Sequence, residues 1–146
     1  MRRLLFDTNI VLDVLLNREP WVADAGRLWE ANDDGRIAVY VTASSLTDRF
    51  YVARRISGLD TAHTAVRIGL DAFEICPVDR SILEQAAALP GDDSEDNLQI
   101  ACASVSRLDA IVTRNPQDFE ASAVPVLTPA EAAAQLSDRP RSAAAV

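Results

Sequence analysis

Leu4-Leu5-Phe6-Asp7-Thr8-Asn9-Ile10-Val11-Leu12-Asp13 is the stretch on which the reading of this chain turns. A short, wholly apolar run stops on an acid, and helical spacing takes over from Ile10 to Leu16. An apolar run without alternation fits a strand covered on both faces, so residues 4–7 read as a buried strand and the next segment as the start of a helix. Asp7 then sits at the carboxyl edge of whatever sheet that strand joins, the edge where open α/β sheets gather ligands. The plainer role stays open, because an aspartate there also serves to satisfy backbone groups of the following turn.

Working outward, further β-branched runs occur at 37–41, 73–78, 110–113 and 124–127, and each is separated from the next by residues of helical period. A helix over 21–32 ends at Asp33-Asp34-Gly35, and Ser44 or Ser45 can cap another that runs to about residue 56. Asp60 can cap a helix through 70, Asp79 one over 80–89, and Ser94 can open one to 107. Thr128-Pro129-Ala130-Glu131 combines a capping box with proline at the first helical position. Strands that alternate with helices imply right-handed crossovers and an α/β fold with a mostly parallel sheet of four or five strands, covered on both faces. The last residues, 137–146, read as an unanchored tail.

The bulk numbers agree with one domain. The 146 residues are 49% apolar and 25% charged, the balance of a globular protein with a packed core. No stretch approaches the roughly 18 apolar residues that a membrane span requires, and Asp7 interrupts the N-terminal apolar run too early for a signal peptide, so a cytoplasmic protein is expected. Cys76 and Cys102 lack metal spacing and read as buried thiols. The net charge of −8 opposes a broad basic surface for nucleic acid, although every basic residue is arginine, the better bidentate phosphate ligand. Of the arginines, Arg49, Arg54, Arg55 and Arg114 are the candidates for phosphate contact.

Acid or amide groups fall repeatedly where a strand ends or a helix begins: Asp7 with Asn9, Asp48, Asp96, and Asn115 with Asp118. A parallel sheet would bring these edges together. Two carboxylates 4 Å apart repel by about 4 kcal/mol at an effective dielectric near 20, so a converged cluster calls for a cation. Lysine is absent and His63 is the single histidine, which leaves arginine or a bound metal ion; oxygen-only ligands suit Mg²⁺ or Mn²⁺. Such a cup is a phosphodiester hydrolysis site in outline. Each acid also has an ordinary alternative. Asp48 completes a box-like Ser45-Leu46-Thr47-Asp48, Asp96 suits the first turn of any helix, and Asp118 can cap the loop after Asn115-Pro116.

His63 reads as a surface residue, and Trp21 and Trp29, eight apart, as facing core or a partner more than stacking on bases. No G-x-G-x-x-G follows the first strand, which removes a dinucleotide oxidoreductase. Without lysine, receiver-type and haloacid-dehalogenase-type phosphotransfer sites are also missing a part.

Phe6-Asp7-Thr8-Asn9-Ile10-Val11-Leu12-Asp13 resembles the opening motif of PIN domains. The segments at 42–51, 95–101 and 111–119 are similar to those carrying the family's second, third and fourth acidic positions, in order, and the resemblance covers about residues 3–136. It implies a three-layer α/β/α domain over 1–136 that binds Mg²⁺ or Mn²⁺ and hydrolyses RNA. Asp7, Asp48 and Asp96 would be catalytic metal ligands, Asn115 and Asp118 further ligands, and Asn9 and Thr113 would orient the carboxylates. Apart from the resemblance, Arg49 and Arg114 are the arginines expected to contact the substrate, the alternative being that scattered arginines are solvated faces. Two positions depart from the pattern: the second acid is the shorter Asp48 rather than glutamate, and the fourth is the amide Asn115, which weakens a second metal site. Many small relatives, the VapC-like ribonucleases, are toxins held inactive by an antitoxin protein and often dimeric, which makes an antitoxin and a second copy the expected partners. The alternative is a PIN-fold module of weak or lost activity that binds protein or RNA.

Overall fold

Strand β1 (Arg2–Phe6) is the middle of the sheet, and the reason is its composition: Leu4, Leu5 and Phe6 are all buried, which only a strand covered on both faces achieves. A computed structural model describes residues 1–137, with only the backbone described for Arg49, Phe50, Tyr51, Ala53 and Ser137. β2 (Ile37–Thr42) and then β3 (Glu74–Cys76) lie to one side of β1, and β4 (Ala110–Val112) and then β5 (Val126–Leu127) to the other, giving the order β3-β2-β1-β4-β5. All four pairings are parallel, and Leu4 stands opposite both Val39 and Ala110. The expected parallel α/β/α sandwich is what the chain forms.

Alternate side chains of the strands feed two cores. Leu4, Phe6, Val39, Val41 and Val112 pack with Ile10 and Val11 of α1 (Thr8–Leu15), Ala25 and Leu28 of α2 (Val22–Asp33), and Ala132 of α7 (Pro129–Ser137). Leu5 and Ile111 point the other way, onto Ile82 of α5 (Arg80–Ala87) and Leu98 and Ile100 of α6 (Ser94–Val105). A hairpin of α3 (Ala43–Ser57) and α4 (Leu59–Ala72) completes the helices, with a 3-10 turn at Pro116–Phe119. Cys76 and Cys102 are free, buried thiols in the second core, and burial pushes Cys102 up to about 12. Because the chain leaves β1 towards β2 first and reaches β4 only later, the order reverses between β1 and β4. Their carboxyl ends therefore open a crevice at the switch point.

Local chemistry sets the helix ends. Asp79 accepts from the Ile82 backbone, and Thr128 and Glu131 form the reciprocal capping box, at 3.1 and 3.0 Å. Gly35, at φ +73°, ends α2 with Gly35 N–H donating to the Asn32 carbonyl and Arg36 N–H to that of Ala31, the paired bonds of a left-handed helix stop. Three starts differ from the sequence reading. Thr42, not Ser44 or Ser45, caps α3 by accepting from Ser45 N–H, which puts Ser45-Leu46-Thr47-Asp48 inside the helix. Gly58 precedes α4 and leaves Asp60 in its first turn. Asp93 caps α6 in place of Ser94 by accepting from two backbone N–H groups, those of Glu95 and Asp96. The strands at 73–78 and 124–127 shorten to three and two residues, since each needs a neighbour only along that length. Ser137 belongs to α7, and the remainder of the expected tail lies outside the described residues. Among the described residues no helix is long and apolar enough to cross a membrane.

Asn32 ties these layers at one point. Its Oδ1 accepts from Val39 N–H at 2.9 Å, just before β3 begins to pair with β2 at Tyr40, and its Nδ2 donates to the Ala72 carbonyl at 2.8 Å. Asn32→Ala leaves both backbone groups without that partner. We expect a loss of about 1–3 kcal/mol in urea unfolding with an unchanged slope.

Candidate active site

Asp7 leaves the end of β1 in extended conformation, caps α1, and is only 8% exposed. Its carboxylate is held by three donors. Oδ1 accepts from Thr8 N–H at 2.7 Å and from Gln99 Nε2 at 3.0 Å, while Oδ2 accepts from Thr113 Oγ1 at 2.8 Å. Thr113 follows β4, where its hydroxyl also accepts from Asn115 N–H at 3.1 Å, linking the fourth acidic segment to the first. The fold thus brings Asp7 and Thr113 together across the switch point.

Other acids surround this carboxylate. Asp96, in the first turn of α6, is pushed up to about 7, first by burial and then by Asp93, Asp7, Asp118 and Glu95. Glu95 is raised in the same way, by burial and then by Asp48, with Asp7 and Asp93 adding to it, while the Ser44 hydroxyl that donates to its Oε1 at 3.3 Å acts in the opposite direction. Asp48 is exposed on the first turns of α3, and Asp118 is exposed in the 3-10 turn. Asp7, Asp48, Asp96 and Asp118 are therefore within electrostatic reach of one cluster that also includes Glu95. Asn9 is half-buried in the first turn of α1, and among the described residues no hydrogen bond ties it to a carboxylate. Asn115 is half-buried beside Thr113, held through its backbone.

Two side chains here escaped the sequence reading. Glu95 shares the first turn of α6 with Asp96, where any acid is favoured, and so carries no signal of its own. Gln99 had a usable signal: it lies three residues after Asp96, on the same side of a helix, as the one amide in the otherwise small or apolar run from Leu98 to Ala103. A hydroxyl chain lines the approach from α3: Thr42 Oγ1 donates to Ser45 Oγ at 2.7 Å, and Ser45 and Thr8 share a bond of 3.0 Å.

Arg114 has a structural assignment. Its Nε lies 3.1 Å from Oδ2 of Asp13, which is completely buried in α1, and its guanidinium stacks 3.9 Å from the centre of the Trp21 ring. The N–H is not aligned for a hydrogen bond, so the contact is ionic. Arg18 stands farther away, 3.9 Å from the other oxygen. Burial raises the Asp13 carboxyl, and the two arginines oppose that. Trp29 packs edge-on against Phe73 in the core, and His63 is exposed. The Arg49 side chain lies outside the described residues, and Arg54 and Arg55 are exposed in the last turn of α3.

A family model of the PIN domain matches residues 3–117. The chain belongs to the PIN-domain family. No curated protein sequence matches it. Among solved structures, a toxin-antitoxin complex from Klebsiella pneumoniae is 26% identical, with 86% of this chain and 96% of that one covered and a TM-score of 0.64. DNA-bound VapBC from Salmonella typhimurium superposes with a TM-score of 0.68 at 14% identity, over 88% of this PIN domain's chain and 99% of its own. The sarcin-ricin-loop-cleaving toxin VapC20 from Mycobacterium tuberculosis matches at 0.62 and 18% identity, covering 74% and 86%. The last two likenesses concern the fold.

The donor set can be tested against a divalent cation. It is all oxygen, it carries several negative charges, and among the described residues none of its members is ion-paired with an arginine. No three acids among the described residues form a ready chelate. Oxygen ligands with uncompensated negative charge are of the kind that a hard ion such as Mg²⁺ takes, keeping several of its own waters. Asp7, Asp48 and Asp96 would hold it, with Asn115 and Asp118 at the margin.

Stability should carry the signature of this cluster. An acid raised in the folded state binds more protons there than in the unfolded chain, so stability falls as pH rises. For Asp96 that window runs from its ordinary value of 3.8 to about 7. Thermal melting without metal should drop across the window, and Asp96→Asn should flatten the drop. Arg114→Met would leave Asp13 with the more distant Arg18 alone, for which we expect a loss of about 3 kcal/mol in chemical unfolding. An arginine held chiefly for RNA contact would leave stability unchanged.

Proposed function

We propose that the chain is a divalent-metal-dependent endoribonuclease whose aspartate cluster hydrolyses RNA phosphodiester bonds. The observation that carries this is the carboxylate of Asp7, fixed by Thr8, Gln99 and Thr113 at the switch point of the sheet and facing other acids that no arginine neutralises among the described residues. Membership of the PIN-domain family supports it, as does the likeness to a toxin described as cleaving the sarcin-ricin loop.

Asp7, Asp48 and Asp96 would share one Mg²⁺ or Mn²⁺. When bound, such an ion polarises the phosphate and supplies hydroxide at neutral pH. The chain's own part is placement. Thr113 and Gln99 keep the Asp7 carboxylate from turning, α6 presents Asp96 from its first turn, and α3 brings Asp48 within electrostatic reach of Glu95. Asn115 contributes an amide oxygen but no charge, so the reading is of one ion held well rather than two. Arg49 remains a candidate for phosphate contact. Arg114, engaged with Asp13 and Trp21, serves the wall of the site instead.

The toxin role follows as part of the same proposal. The Klebsiella structure is a toxin-antitoxin complex, and VapC20 is described as a toxin. A cognate antitoxin would hold this chain inactive in the cytoplasm, with a second copy of the chain as a further partner.

The deciding experiment is cleavage of a mixed RNA pool by the purified chain with Mn²⁺, with EDTA and as the Asp7→Asn variant. Cutting by the wild type with metal alone is the expected result. A folded wild type as silent as the variant would remove the enzyme and leave a binding module, for which the amide at Asn115 would be the reason.

A further inference from the structure

Gln99 is completely buried in α6. Its Nε2 donates to Asp7 Oδ1 at 3.0 Å, and its Oε1 is buried without any hydrogen-bond partner. Its neighbours Leu98, Ile100, Ala101, Cys102 and Ala103 are buried and almost wholly apolar, so packing alone would favour an apolar residue of similar volume. Such a residue would also avoid the orphaned carbonyl, because a buried polar atom without a partner is unfavourable. Nor can the amide turn around to relieve it. Turned, Oε1 would face a carboxylate oxygen with no proton between them. The glutamine is thus explained by what its N–H does to Asp7, not by what it does for the core.

Counting acceptor positions shows what that is. A carboxylate offers about four lone-pair sites, two on each oxygen. Thr8 N–H and Gln99 Nε2 occupy both sites on Oδ1, and Thr113 occupies one on Oδ2. One site remains, on Oδ2. We infer that Gln99 is a positioning residue: by donating to Oδ1 beside Thr8 N–H it would leave Oδ2 as the Asp7 oxygen open to a cation, and the carboxylate would serve one ion. This rests on the ribonuclease reading above and deepens it. It assigns one ion per chain at Asp7, and it makes the amide at Asn115 a match to the rest of the site instead of a defect.

The test uses the full chain. Calorimetric titration with Mn²⁺ gives affinity and stoichiometry, steady-state cleavage of RNA gives kcat and KM, and melting without metal gives stability, for the wild type, Gln99→Met and Gln99→Asn. Methionine fills the volume without donating; asparagine keeps the amide but falls short of Asp7, and stands in should the methionine variant not fold. We expect one Mn²⁺ per wild-type chain and an affinity roughly 10–100-fold weaker in either variant, the usual effect of losing a partner of a metal ligand. We expect kcat to fall at unchanged KM and the metal-free melting temperature of Gln99→Met not to drop. Equal Mn²⁺ affinity in wild type and variants, two ions per wild-type chain, or a loss that merely tracks a lower metal-free melting temperature overturns the inference while leaving the nuclease in place. A wild type that takes up no Mn²⁺ overturns the metal reading itself, and this inference with it.

Discussion

A negative charge held almost out of solvent at the end of the central strand is the constraint around which this protein is arranged. Asp7 is fixed by donors from three separate elements: the first turn of α1, the middle of α6 and the exit of β4. Those elements meet only because β1 lies between β2 and β4 in a parallel sheet with helices on both faces. Move β1 to an edge and the carboxylate loses both its burial and its partners. Burial without partners would be costly for a charge, so the architecture and the three bonds depend on each other.

The same geometry concentrates acids from four segments at one edge of the sheet, which is where most folds would avoid them. Repulsion among them shows in Asp96 and Glu95, both raised by burial and by their neighbours. Among the described residues no ion pair with an arginine relieves it. Arg114 and Arg18 face Asp13, Arg36 pairs with Asp34, and Arg80 with Glu84 on the surface. A local conflict of this kind is commonly found at functional sites. It also accounts for part of the net charge of −8, which at first sight argues against nucleic acid.

Asp13, Arg114 and Trp21 form a second charged contact beside α1, near enough for Asp7 to raise Asp13 further. An ion pair with one fully buried member is seldom a gain in stability over apolar packing, but breaking it is costly. Its effect here is to tie the start of α2 and the loop after β4 to α1, and so to fix the direction from which Asn115 and Asp118 approach Asp7.

What the sequence by itself determined is whatever depends on neighbours a few residues away. The apolar run at Leu4 to Phe6 requires a strand buried on both faces, the stop at Gly35 and the box at Thr128 and Glu131 end and begin helices, and Asp7 after a buried strand stands at the carboxyl edge of the sheet. Tertiary structure alone decided which polar groups meet. Gln99 and Thr113 reach Asp7 across 92 and 106 residues of chain, and Arg114 finds Asp13 in the same way. Even the cap of α3 passed to Thr42, because β2 continues one residue farther beside Cys76 of β3 than its own pattern requires. Hydrophobic period is written along the chain, and so it can be read there. A hydrogen bond between distant side chains exists only once the sheet order has placed three strand ends side by side.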